Sequence, residues 1–92
     1  MKPSVRTPLP GPKAWALLER GERVLSPSYV RPYPFVPARG QGAFLEDVDG
    51  NLFLDFMSGI AVNTTGYAHP KVVEAVRAQA ERFAHVCFSD FT

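Results

Sequence analysis

Cysteine is nearly absent from this 92-residue sequence, which contains Cys87 alone. No internal disulfide can therefore staple a small core. Two roles remain for this residue, a reactive thiol or a small buried hydrophobe, and the second is the commoner use of a free cysteine. We therefore expect Cys87 to be buried.

Long apolar runs and a charge bias are also missing. No stretch of about 18 apolar residues occurs, and the first residues, MKPSVRTPLPGPK, lack the apolar centre of a signal peptide. The ten basic and nine acidic residues are scattered and leave a net charge of +1, which gives no electrostatic footprint for nucleic acid or an anionic membrane. These absences predict a soluble, cytoplasmic protein without nucleic-acid or membrane partners.

Proline, by contrast, is abundant, and eight of the nine prolines lie between Pro3 and Pro37. Their distribution predicts a proline-rich N-terminal arm with a short helix in residues 1–41, and a more regular part in residues 42–92. Within the arm, Gly11 and Pro12 form a favourable helix start, and Gly21 forms a favourable helix end.

The last part of the arm alternates proline with aromatic and aliphatic residues, SPSYVRPYPFVP (26–37). Its backbone has too few N–H donors to join a central strand, so we expect it to be extended. It either lies across its own protein or a dimer partner, or it is a proline-rich ligand for an aromatic-lined groove. The first role is the commoner one, and both need a surface larger than this chain.

A β-hairpin is predicted where the prolines end. Residues 43–46 and 52–56 are typical of two short strands, and Asp49 to Asn51 can adopt the positive φ angles of a tight turn. Asp47, Asp49 and Asn51 also suggest a calcium loop, but neither possible register supplies the glycine at position 6 and the glutamate at position 12 that an EF-hand needs. We therefore interpret the turn as structural.

A second helix is predicted over residues 70–85. Apolar side chains recur there at steps of three and four, and the charged residues between them indicate a solvated face. The apolar stripe consists of Val72, Val73, Val76, Ala80 and Phe83. His69 and His85 would stand about 24 Å apart at the two ends of such a helix, so they cannot share a metal.

The segment between hairpin and helix, MSGIAVNTTGYAH (57–69), fits no secondary-structure pattern. Gly59 and Gly66 permit close backbone approach or positive φ angles. The composition is compatible with a buried connector, which is the commoner case, or with one wall of a ligand pocket.

These parts, in this order, resemble a known family. Residues 42–85, GAFLEDVDGNLFLDFMSGIAVNTTGYAHPKVVEAVRAQAERFAH, are similar to the N-terminal portion of class III aminotransferases, pyridoxal-phosphate enzymes of fold type I. Residues 11–36, GPKAWALLERGERVLSPSYVRPYPFV, resemble the leader of the 4-aminobutyrate aminotransferase branch. The resemblance implies an α+β segment of that fold, with an extended arm, a short helix, a β-hairpin and an amphipathic helix of the small domain.

The resemblance also implies a function. Such enzymes transfer an amino group from a donor such as 4-aminobutyrate or another ω-amino acid to a 2-oxo acid such as 2-oxoglutarate, with pyridoxal phosphate held on a lysine. The alternatives are a transaminase of the acetylornithine or ornithine type, and a stand-alone module that pairs with a full-length relative.

Two residues are substrate-binding by this resemblance. Ile60 lies in the segment that matches the border of the pocket, and Ser89 follows the second helix. The family usually reads GHxHP where this sequence reads GYAHP (66–70), so Tyr67 is a departure that bears on donor preference.

The major cofactor domain of the family, with its Schiff-base lysine, lies beyond the region of resemblance. Lys2, Lys13 and Lys71 are the lysines of this sequence, and they lie in the arm or on the first turn of the second helix. We therefore expect no catalytic, cofactor-binding or metal-binding residue in this chain. It should be inactive alone and act with the remainder of a transaminase and its dimer mate.

Overall fold

A three-stranded antiparallel sheet is the main feature of the computed structural model, which describes residues 1–90. Strands β1 (Pro37–Gln41), β2 (Phe44–Asp47) and β3 (Leu52–Leu54) lie in that order in the sheet. Strands β2 and β3 pair with Leu45 opposite Phe53, which confirms the predicted hairpin. Strand β3 is shorter than predicted, because the side chain of Asp55 binds the amides that follow it.

Strand β1 is not predicted by the sequence, since proline opens it and Gly40 lies inside it. The sheet tolerates both because β1 is an edge strand, where a missing N–H need not interrupt the ladder. Arg39 lies opposite Glu46, and its Nε and Nη2 donate to the Glu46 carboxylate at 2.9 and 2.7 Å. The division of the chain after residue 41 stays a prediction, although β1 pairs with β2 across that point.

Helix α1 (Pro12–Val24) begins at the predicted proline but continues past Gly21. Gly21 is buried because the guanidinium of Arg31 packs on it, and a Cβ at this position would lie 2.8 Å from Arg31 Nη1. Arg31 Nη2 also lies 3.3 Å from Glu22 Oε1. The glycine therefore permits close approach of a side chain and does not end the helix.

The proline-rich stretch after α1 makes a few contacts with its own chain. In addition to the contact of Arg31 with Gly21, the ring of Phe35 packs edge-to-face on Phe53, with the ring centres 5.4 Å apart. Tyr29 and Tyr33 remain exposed. The stretch thus lies partly on its own protein, which is the commoner of the two roles expected for it.

After the four-residue helix α2 (Ser58–Ala61), helix α3 (Pro70–Ala80) is shorter than predicted. His69 caps it, with Nδ1 accepting from the backbone N–H of Lys71 at 3.2 Å. The predicted apolar stripe is present, but Val72, Val76 and Phe83 are all exposed. The helix is therefore amphipathic without a described partner for its apolar face.

The described residues form an open structure. The radius of gyration is 16.7 Å, whereas a compact domain of this length has about 12 Å. The accessible surface is 7888 Å², whereas a compact protein of this mass exposes about 5,300 Å². Ala14 is the one fully buried hydrophobic residue of the described part. Most of the apolar surface therefore remains uncovered.

Candidate functional site

A left-handed turn lies between the sheet and α3. It forms the short helix α2 (Ser58–Ala61), whose residues have φ angles of 50°, 65°, 63° and 60° in chain order. The left-handed conformation costs about 1–2 kcal/mol for each residue other than glycine, and three residues of this turn are not glycine. Sequence patterns do not predict such a turn, and strained backbone of this kind clusters at functional sites.

The turn is held from its N-terminal side by Asp55. One carboxylate oxygen, Oδ1, accepts from the backbone N–H of Met57 at 2.8 Å. The other, Oδ2, accepts from the N–H of Ser58 at 2.9 Å and from the hydroxyl of Tyr67 at 2.6 Å. We call these contacts of Asp55, Met57, Ser58 and Tyr67 the Asp55 clamp. It supplies two hydrogen bonds to the entrance of a turn that local propensity disfavours, and a third joins Asp55 to Tyr67.

Tyr67 is itself fixed by two glycines of the sheet and its first turn. Its backbone N–H and carbonyl pair with Gly42, at 2.8 and 3.0 Å. Its ring lies over Gly40, where a Cβ would stand 2.6 Å from Tyr67 Cγ. Gly66 has a φ angle of +81°, and a Cβ there would lie 3.1 Å from the backbone of Gly42. The ring therefore has a defined place, and so has its hydroxyl.

The clamp shifts two pKa values in opposite directions. The hydrogen bond from the Tyr67 hydroxyl is the largest cause that lowers the pKa of the Asp55 carboxyl, followed by the bond from the N–H of Met57. The same hydrogen bond raises the pKa of the Tyr67 phenol, because it favours the protonated form beside a carboxylate.

Replacing Tyr67 by phenylalanine is therefore expected to raise the pKa of Asp55 towards its ordinary value of 3.8. Because the pKa is lowered in the folded protein, the clamp stabilises the fold above the ordinary pKa, and this contribution is lost as the pH falls through the folded-state pKa. Carbon-13 carboxyl NMR of the aspartate-labelled protein measures the shift, with Asp55→Asn assigning the signal. An unchanged Asp55 pKa in the phenylalanine variant contradicts the expectation.

The two residues predicted to bind substrate lie in different surroundings. Ile60 is in the middle of the left-handed turn and its side chain is 81% exposed. Ser89 lies in the turn after α3, where its hydroxyl is 2.8 Å from the sulfur of Cys87. Their role in binding substrate stays a prediction.

The prediction that Cys87 is buried is wrong for this chain. The residue is exposed, because it follows α3, whose apolar face is itself uncovered among the described residues. The hydrogen bond with Ser89 is the largest cause that lowers the pKa of the Cys87 thiol.

The acidic turn of the hairpin has a structural role, as predicted. Asp47 Oδ1 accepts from the backbone N–H groups of Asp49 and Asn51 at 2.9 and 2.8 Å, and Oδ2 accepts from Asn51 Nδ2 at 2.8 Å. The side chain of Asn51 in turn binds residues 6–7 of the arm. These oxygens are occupied by donors, and residues 1–90 contain no group of three candidate metal ligands.

This turn has a second role that no sequence pattern predicts. The two oxygens of Asp49 accept from the backbone N–H groups of Lys13 and Ala14, both at 2.9 Å, at the start of α1. Gly11, the residue before the helix, has no side chain to do this, and a Cβ there would stand 2.6 Å from Asp49 Oδ2. An aspartate distant in sequence thus caps α1 and attaches the arm to the hairpin.

The lysines do not fit a site for covalently held pyridoxal phosphate. Lys2, Lys13 and Lys71 are all exposed. Lys71 lies on the first turn of α3 and donates its backbone N–H to His69, so its position is set by helix capping.

No helix of residues 1–90 has the length and apolar character needed to cross a membrane.

Solved structures with the same fold are transaminases. An omega-transaminase from Sphaerobacter thermophilus matches with a TM-score of 0.72 and 37% identity, over 85% of this chain and 19% of its own. Another neighbour, at 34% identity and a TM-score of 0.70, is a transaminase with PLP bound. The fold is therefore that of a segment of a pyridoxal-phosphate-dependent aminotransferase.

The sequence assigns the family. Residues 25–92 match the model of the family Aminotransferase class-III. The chain belongs to the class III aminotransferases and corresponds to an N-terminal segment of them.

Curated relatives differ in their named activities. Alanine/serine racemase of Pyrococcus horikoshii is 51% identical over 84 residues, which are 90% of this chain and 18% of the relative. The 4-aminobutyrate aminotransferase of Mycobacterium tuberculosis is 45% identical over 82 residues, 89% of this chain and 18% of the relative. The acetylornithine aminotransferase of Bifidobacterium longum is 64% identical over 47 residues, 51% of this chain and 11% of the relative. This chain therefore spans less than a fifth of the length of these relatives.

Proposed function

We propose that this chain is the N-terminal part of a cytoplasmic transaminase that moves an amino group from 4-aminobutyrate or a similar ω-amino acid to a 2-oxo acid such as 2-oxoglutarate. The remainder of the transaminase supplies the pyridoxal-phosphate site, and a dimer mate completes the assembly. Pyridoxal phosphate, when bound there, serves as the electron sink for amino-group chemistry. The chain's own part is to shape one wall of the pocket for the amino donor.

The observation that carries this proposal is the left-handed turn with Ile60 in its middle. The turn is disfavoured by local propensity, it is held by the Asp55 clamp, and it presents a large apolar side chain that is 81% exposed. An apolar residue in this position suits the methylene chain of an ω-amino acid, since burial of each CH₂ contributes about 0.8 kcal/mol. Ser89 is proposed as a polar contact on the same substrate.

Replacing Ile60 by alanine in the full-length enzyme is expected to lower kcat/KM for 4-aminobutyrate about tenfold, because the lost methylenes no longer contact the donor. The reaction is followed by formation of glutamate from 2-oxoglutarate. Val24→Ala, which shortens an exposed apolar residue at the end of α1, is the matched control and should leave kcat/KM unchanged. Equal kinetics for the Ile60 variant and the wild type count against the proposed role of Ile60.

Racemisation is a second candidate activity, supported by the 51% identity to alanine/serine racemase. The two activities are separated by omitting the 2-oxo acid. A racemase interconverts L- and D-alanine without it, whereas net amino transfer needs an amino acceptor. Chiral chromatography of alanine incubated with the full-length enzyme and pyridoxal phosphate measures the conversion of L-alanine to D-alanine. Racemisation in the absence of amino transfer overturns the transaminase proposal.

A further inference from the structure

The left-handed turn of α2 needs support from outside itself. Its own hydrogen bonds run from the N–H groups of Ala61 and Val62 to the carbonyls of Met57 and Ser58, each at 2.9 Å. These bonds close the turn, but they do not offset the preference of Ser58, Ile60 and Ala61 for negative φ angles. The conformation persists only where surrounding contacts fix its ends.

Asp55 fixes one end, and it is well placed to do so. Its backbone N–H donates to the carbonyl of Ala43 at 2.8 Å, so the residue still belongs to the sheet although β3 has ended. Its carboxylate then reaches forward to the amides of Met57 and Ser58. Each carboxylate oxygen accepts from one of these N–H groups, and Oδ2 also accepts a further hydrogen bond.

Tyr67 supplies this further hydrogen bond. Its ring is seated over Gly40 and its backbone is paired with Gly42, so its hydroxyl approaches Asp55 Oδ2 from a fixed direction at 2.6 Å. Asn63 lies beside this hydroxyl and also beside Gly59, where a Cβ would stand 2.9 Å from Asn63 Nδ2. The hydroxyl is thus a second link between the sheet and the turn that carries Ile60, beside the hydrogen bond from Asp55 to Ala43.

We infer that Tyr67 is a positioning residue for the amino donor: through Asp55 it fixes the left-handed turn 58–61 and thereby sets where Ile60 meets the donor. This inference rests on the proposed function, because it takes Ile60 to contact the donor. It adds a residue that touches no substrate and acts through another side chain. Removing the hydroxyl should loosen the turn without removing the ring that packs on Gly40.

The test compares Tyr67→Phe with Tyr33→Phe in the full-length enzyme. Tyr33 is 75% exposed and lies in the arm, so loss of its hydroxyl is a matched chemical change outside the clamp. Hydrogen exchange measured by mass spectrometry on a peptide covering residues 56–62 reports on the turn. We expect exchange about tenfold faster in Tyr67→Phe, since a hydrogen bond to a charged group is lost, and no change in Tyr33→Phe.

The second measurement is the ratio of kcat/KM for 4-aminobutyrate to kcat/KM for alanine. Tyr67→Phe should change this ratio about tenfold, mainly through KM, because the donor contact is displaced and not deleted. In an Asp55→Ala background the same substitution should have no further effect on the ratio, as is required if Tyr67 acts through Asp55. A merely stabilising role of Tyr67 would leave the ratio unchanged in both backgrounds.

Each possible result of these two measurements bears on a different part of the inference. Unchanged exchange in Tyr67→Phe overturns the inference that Tyr67 holds the turn. Faster exchange with an unchanged donor ratio overturns the positioning of the donor. A wild-type enzyme that transfers no amino group from any donor overturns the proposed function and the donor positioning together, while the exchange rates still decide whether Tyr67 holds the turn.

Discussion

Replacing Asn51 by alanine is expected to lower the free energy of unfolding of the full-length enzyme by about 3 kcal/mol. Asn51 is fully buried, and its Oδ1 accepts from the backbone N–H groups of Arg6 and Thr7 at 2.6 and 3.1 Å. Its Nδ2 donates to Asp47 Oδ2 and Thr7 Oγ1, each at 2.8 Å. The alanine variant removes four hydrogen bonds, one of them buried and three part-buried. A buried polar group left without a partner costs about 1–3 kcal/mol.

Denaturant unfolding of the enzyme measures this loss, and Gln41→Ala is the control. Gln41 is an exposed amide on the edge strand β1, and its removal should change the stability by less than about 0.5 kcal/mol. Hydrogen exchange at the amides of Arg6 and Thr7 should accelerate in the Asn51 variant alone, because the arm is released from the hairpin. A loss below about 1 kcal/mol would mean that water replaces the side chain at little cost.

The sequence predicts elements whose signals are local. The hairpin follows from residues that are neighbours in the chain, and helix α3 follows from apolar side chains at steps of three and four. The start of α1 at Pro12 is a local signal as well. The structure confirms all three elements, and differs mainly at their ends.

The contacts that attach the arm are not local, and sequence patterns miss them. Asn51 binds the amides of Arg6 and Thr7 across more than forty positions of the chain, and Asp49 caps α1 across a similar distance. The sequence predicts that the acidic turn is structural, but it does not show which groups of the arm the turn binds. The donors that occupy its oxygens become visible only when the fold brings the arm to the hairpin.

Part of the candidate site is predicted by family resemblance and not by local sequence patterns. Ile60 and Ser89 are named by resemblance to a family, and no composition or periodicity identifies them. The left-handed turn that carries Ile60 contradicts the preferences of its residues, so propensity points away from it. Tyr67 is visible in the sequence as a departure from a familiar motif, but its link to Asp55 is a feature of the structure.

The isolated 92-residue chain is expected to unfold without a cooperative transition. Cooperative domains bury apolar side chains from several elements in one core, and their free energies of unfolding are about 5–15 kcal/mol. Here Ala14 is the one fully buried hydrophobic residue of the described part, and large side chains such as Trp15, Phe56 and Val76 are exposed. The hydrogen bonds of Asn51 attach the arm to the hairpin, but they do not replace the missing apolar burial.

Scanning calorimetry and urea titration of the isolated chain test this expectation, with the full-length enzyme as the control. We expect no heat-absorption peak and a gradual change of circular dichroism with urea, because loss of one hairpin or helix does not expose a shared core. A sharp transition would mean that the chain covers its own apolar surface, for example by self-association, which size-exclusion chromatography detects. Size-exclusion chromatography also tests the alternative that the chain is a stand-alone module. Co-elution with a full-length relative would show that the exposed faces of α1 and α3 bind to that relative. Retention of the isolated chain as an expanded monomer agrees with the proposal that these faces are covered by the remainder of a transaminase.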